Sequence, residues 1–136
     1  MNSESAGRVR FARWVFLAAG IYGLIVMLPN YFLEDRMGQE YPPAITHPEY
    51  FYGFVGIGVA WQVAFLVIAT DPVRYRPLLL PVLLEKGTFG IAAIVLYAGG
   101  RVSTTILAFG IIDLLLGGLF LVALGRIAAP GLPHGR

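Results

Sequence analysis

The sequence predicts an all-α protein: a four-helix transmembrane bundle with both termini cytoplasmic. Three observations carry that prediction. The 136 residues are 57% hydrophobic and only 13% charged, with a mean hydropathy of +0.73; soluble domains run about 45–50% apolar and about 25% charged. Four apolar runs approach or exceed the ~20 residues that a helix needs to cross a hydrocarbon core of ~30 Å. Most basic residues flank those runs, where topology signals belong. A net charge of +2 and a pI near 9.2 therefore give no reason to expect a nucleic-acid partner, and no nucleic-acid-binding motif is present. The chain has no cysteine, which excludes disulfides, thiol redox chemistry, thiolate metal sites and S-palmitoylation.

The first ten residues, MNSESAGRVR, are polar and are expected to be flexible. Arg8, Arg10 and Arg13 precede the first helix, expected over about 12–30. A secretory signal peptide also begins this way. Here no small-residue cleavage site follows and the chain continues as PNYFLEDR, so an uncleaved signal anchor is expected. Residues 30–48 form the one long connection, broken at Pro42-Pro43. Tyr31, Phe32, Tyr41, Tyr50, Phe51 and Tyr52 cluster around it, as aromatics do at a membrane–water interface.

Thr46, His47, Pro48 and Glu49 fit a capping box with Thr46 as the N-cap, so the second helix is expected over 48–70. Asp71-Pro72 opens a basic turn, DPVRYRP. The third helix is expected over 77–99, kinked by Pro81 and ended by Gly99-Gly100. The fourth is expected over 102–126, starting near Ser103 or Thr104, with a flexible Pro/Gly-rich tail over 127–136. With the N-terminus inside, Arg8, Arg10, Arg13, Arg74, Arg76, Arg126 and Arg136 lie inside and Arg36 and Arg101 outside. That bias orients the bundle and suits a bacterial cytoplasmic membrane.

Rise per residue converts position to depth. Glu85 and Lys86 come out ~10–12 Å above the inner boundary, Asp113 ~14 Å, and Gln62 and Tyr22 each ~12 Å. Each of the four helices thus places a polar group at similar depth. Intramembrane ionisable residues face the bundle interior, pair with one another and mark functional sites. Lys86 is expected to pair with Asp113, leaving Glu85 as a surplus acid that shares a proton. Gly110, Asp113 and Gly117 fall on one face of the fourth helix, where small residues let a neighbouring backbone approach. Gly58 lies near Gln62, Gly53, Gly56 and Ala60 make a second stripe, and Gly87 and Gly90 flank the charged pair.

Each of these residues also has a plainer reading. Glu85, Lys86 and Asp113 serve equally as an ion pair that fixes helix register, or Lys86 snorkels to the cytoplasmic side. Tyr22 and Gln62 serve as interhelical hydrogen-bond groups, and the glycines as packing devices. His47 with Glu40 and Glu49 falls short of a metal motif, so no metal site is expected. No nucleophile–His–acid set or phosphate loop is present, and no cofactor is implied.

Four helices, the long first connection, the helix entry HPEYFYGFVGIG and the turn RYRPLLLP together resemble the small bacterial DoxX-like membrane proteins over residues 11–125. The resemblance implies the bundle and its topology and carries no residue role. The chain departs from small multidrug transporters, which place a Glu in mid-helix one, and from four-helix thiol oxidoreductases, which need cysteines. The functional expectation is a small binding or transport-type module in the lipid bilayer. Tyr22, Gln62, Glu85, Lys86 and Asp113 would contact a small lipophilic ligand or a proton. The alternatives are a structural or accessory subunit, joined to a second copy or a membrane partner through its glycine faces, and a lipid-acting isomerase that uses the buried acids.

Overall fold

The computed structural model describes residues 3–128. Among them the secondary structure is entirely helical: α1 (Ser3–Met27), α2 (Glu34–Glu40), α3 (Pro48–Thr70), α4 (Leu79–Ala98) and α5 (Thr104–Ala128), with short 3-10 turns at Leu28–Phe32 and Arg76–Leu78. Four segments are long and apolar enough to cross a membrane: Ser3–Phe32, Pro48–Thr70, Arg76–Ala98 and Thr104–Ile127. Their outward side chains are largely apolar, with Ile25, Leu80 and Leu115 at 65–68% exposure, while Lys86 is only 4% exposed. Water-soluble proteins almost never bury a lysine this fully unless it is paired.

Several boundaries differ from expectation. α1 begins at Ser3, well before the start expected near residue 12. Glu4 sits in the first turn and pairs with Arg8 at 2.7 Å. An acid there complements the helix dipole, and an i, i+4 pair supports the turn. The 30–48 connection contains α2, which buries no residue and is laced by Arg36–Glu40 at 2.7 Å. The Glu40 hydrogen bond raises the pKa of the Arg36 guanidinium further above its ordinary value. α3 begins at Pro48, which moves the N-cap from Thr46 to His47. The His47 carbonyl accepts from Tyr50 and Phe51, and Glu49 lies 3.3 Å from His47 Nδ1. Pro81 falls in the first turn of α4, where its missing N–H has no intrahelical acceptor to lose, so it starts the helix without breaking it. α5 continues to Ala128, and the rest of the expected tail lies outside the described residues.

Contacts divide the chain into two units. The first joins the described residues up to Phe16 with those from Ile68 onward. Its centre is the antiparallel α4–α5 hairpin. α4 ends in a Schellman motif: Arg101 N–H donates to Leu96 O at 2.9 Å and Gly100 N–H to Tyr97 O at 2.9 Å. Gly100 takes φ +68°, the left-handed conformation this cap requires and glycine adopts without a Cβ clash. Ser103 caps α5, its hydroxyl 3.5 Å from the Ile106 N–H. The start of α1 packs on α5 through Phe16 and Phe120, both fully buried and stacked with centroids 4.5 Å apart. Ala12, Ala123 and Ile127 continue this contact, with Phe11 and Val73 packed against them. Arg13 donates to the Thr70 carbonyl at 2.7 Å, closing the C-terminus of α3.

The second unit is Leu17–Val67. Here α1 and α3 approach so closely that a Cβ on Gly20 would lie 2.9 Å from the Gln62 carbonyl oxygen, and one on Gly58 would strike Met27 Cε. Asn30 ends α1 by donating to the Val26 carbonyl at 2.8 Å. Tyr31 stacks on Tyr52 at 6.2 Å and Phe51 meets Tyr52 edge-on at 5.3 Å, so part of the expected aromatic cluster forms.

Candidate functional site

Helix periodicity and one close backbone contact build the site. On α5, Gly110, Asp113 and Gly117 recur at i, i+3 and i+7 and therefore share a face. That face meets α4: a Cβ on Gly110 would strike Ala93 Cβ, and one on Gly117 would lie 3.5 Å from Lys86 Cβ. From the other side, a Cβ on Gly90 would lie 2.9 Å from the Gly110 carbonyl oxygen. With Gly90 and Gly110 at the crossing, the two backbones approach far enough for Lys86 and Asp113 to meet.

Lys86 Nζ donates to Asp113 Oδ1 at 3.0 Å. The ammonium also stands 3.5 Å from Glu85 Oε1 and 3.3 Å from Glu85 Oε2. Side-chain exposure is 5% for Lys86, 15% for Asp113 and 22% for Glu85. Glu85 Oε2 is buried with no hydrogen-bond partner among the described residues; its approach to the ammonium has an ion-pair distance without hydrogen-bond alignment. The arrangement is therefore asymmetric. Lys86–Asp113 is a hydrogen-bonded ion pair between helices, and Glu85 is a second carboxylate held against the same cation. With all three groups ionised, the cluster carries one surplus negative charge.

Glu85, Lys86 and Asp113, expected from sequence to pair, are thus brought together within the first unit. Tyr22 and Gln62 belong to the second unit. Gln62 is 4% exposed, donates from Nε2 to the Gly58 carbonyl of its own helix at 3.2 Å, and lies against Gly23, where any Cβ would collide with it. A glutamine satisfying its own helix is a packing group first. Gly87, expected to pack beside the charged pair, has nothing within 4 Å of its Cβ position, so only Gly90 works as the contact glycine of α4.

Sequence reasoning missed two contributors. Thr88 donates from its hydroxyl to the Leu84 carbonyl at 2.7 Å and approaches the Glu85 carbonyl at 3.3 Å, tying down the turn that carries Glu85. Its position three residues past Glu85 was the available signal. Arg13, read only as a topology charge, caps α3.

Chemically the triad can hold a proton or a small cation against its surplus charge. Among the described residues, no group of three or more His, Cys, Asp or Glu side chains is placed to hold a metal ion. Comparison of the chain with protein-family models, curated proteins and solved structures finds no match.

Proposed function

We propose that this chain is a multi-pass protein of the bacterial cytoplasmic membrane with both termini inside, acting as a small binding or transport-type module. Its site is the Glu85–Lys86–Asp113 triad and its ligand is a proton. The supporting observation is two carboxylates on one buried ammonium, of which only Asp113 is well hydrogen-bonded. Like charges confined near one another resist joint ionisation, and a proton on Glu85 would remove the surplus. The Lys86–Asp113 pair, neutral in sum, then stays fixed, and Glu85 is the group that loads and unloads.

The experiment compares the parent with Glu85→Gln and Asp113→Asn in detergent. Helicity is followed by circular dichroism and proton uptake by titration together with the carboxyl stretch in the infrared. Glu85→Gln is expected to stay folded and to lose one protonation step. If both variants stay folded and take up protons as the parent does, the site reading fails.

A second reading is an accessory subunit. Gly118 and Gly125 recur at i, i+7 on α5 with nothing within 4 Å of their Cβ positions, leaving room for a partner helix. Gentle solubilisation and mass measurement test it. A complex that Gly118→Leu dissociates favours this reading, and a lone monomer counts against it.

A further inference from the structure

We propose that the arginine-rich end of the first unit binds the phosphodiester headgroups of anionic phospholipids. Three pieces of chain meet at this end. The Arg126 guanidinium lies over the Phe11 ring at 4.3 Å, joining the end of α5 to the start of α1. Val73, in the turn before α4, packs on the Ala12–Ala123–Ile127 cluster, and Arg13 reaches the Thr70 carbonyl. Arg8, Arg10 and Arg13 on α1, Arg74 and Arg76 beside Val73, and Arg126 on α5 therefore fall at this one end, with two acids, Glu4 and Asp71. Glu4 is occupied by Arg8 at 2.7 Å, and Asp71 Oδ1 accepts from the Arg74 backbone N–H at 3.2 Å. Arg10 and Arg76 are exposed, and no acid pairs with either among the described residues.

The surface around these two arginines selects the occupant. Trp14, one turn past Arg10, is 65% exposed, and Leu78 and Leu80, just past Arg76, are 40% and 68% exposed. A charged band therefore borders an apolar band on both α1 and α4. A soluble polyanion would match the first band and leave the second bare. A phospholipid matches both, with its phosphate on guanidinium groups suited to bidentate contact and its acyl chains beside Trp14 and Leu80. The proposal rests on the membrane-spanning reading above and is independent of the triad.

The test uses the full chain in neutral detergent, titrated with phosphatidylglycerol or phosphatidylcholine and followed by native mass spectrometry. The parent is expected to prefer phosphatidylglycerol. Arg10→Gln with Arg76→Gln should lower that affinity about twenty-five-fold, at about fivefold per arginine near an anionic surface, and leave phosphatidylcholine binding unchanged. Arg101→Gln, at the far end of α4, should have no effect. Equal affinity for the two lipids overturns the proposal, as does a folded double variant that binds like the parent. Full competition by soluble glycerol phosphate also overturns it, because the occupant is then a free anion. Alkaline extraction of the parent from vesicles separates the two failures: release sinks the membrane reading itself, whereas retention without lipid preference sinks only this inference.

Discussion

Replacing Lys86 by Met tests the electrostatics of the α4–α5 contact most severely. Methionine keeps the length of the stem that passes Gly117 and deletes the charge. Two carboxylates, 15% and 22% exposed, then face one another with no cation. Removing one partner of a buried ion pair costs about 3–5 kcal/mol, because the remaining charge is left uncompensated. Asp113→Asn should cost less, about 1–2 kcal/mol, because the ammonium exchanges an ionic acceptor for an amide oxygen; Lys86 retains Glu85 as a counter-ion. Glu85→Gln should cost least, under about 1 kcal/mol, since it leaves the 3.0 Å bond intact and removes only a 3.3–3.5 Å approach. The triple variant Lys86→Met, Glu85→Gln, Asp113→Asn should recover most of the loss, as apolar or neutral replacements of buried pairs often do. The assay is reversible unfolding in mixed micelles, followed by circular dichroism. If Glu85→Gln destabilises as much as Lys86→Met, or the triple variant is the worst of the four, the assignment of Asp113 as the primary counter-ion is wrong.

Gly110→Ala should lose about 1–3 kcal/mol by overpacking, since its new methyl meets Ala93 Cβ; in the same unfolding assay Gly87→Ala, which meets nothing, should be neutral or gain up to about 1 kcal/mol of helix propensity. Gly100→Ala places a Cβ at φ +68° and should cost about 1–2 kcal/mol, with Gly100→Asn milder because asparagine tolerates that region. Phe16→Ala removes a fully buried ring from its stack on Phe120 and should cost about 3–5 kcal/mol, read as a lowered midpoint in denaturing detergent.

The long elements were legible because apolar length and terminal punctuation act locally. Gly99-Gly100 marked the end of α4 and Ser103 the start of α5, and both caps form as their residue types dictate. The Lys86–Asp113 pairing was legible from rise per residue alone, because charges in apolar segments have few places to go. What the sequence hid were cooperative effects. The polar start of α1 is helical because an existing helix extends at small cost, whereas a new one must nucleate. α2 was masked by a mixed-charge composition that reads as loop, although its Glu34 and Asp35 suit a helix N-terminus. The His47 cap differs from the Thr46 expectation by one residue, the scale on which helix ends fray. The unequal roles of Gly87 and Gly90 were hidden because both flank the charged pair, and only the crossing of α4 and α5 selects between them.

The tight turn at Gly100 also bears on how the chain is made. Lys86 and Asp113 are 27 residues apart on two consecutive helices, so the cation and its counter-ion emerge from the ribosome almost together. On the membrane-spanning reading proposed above, Asp113 without its cation would resist entry into lipid by about 2.5–3.5 kcal/mol at mid-bilayer, whereas Lys86 already travels with Glu85 3.3 Å away. A hairpin that closes before it leaves the translocation machinery presents Asp113 already paired with Lys86. Lengthening the Gly99–Arg101 link should therefore impair membrane integration during synthesis more than it weakens the finished protein.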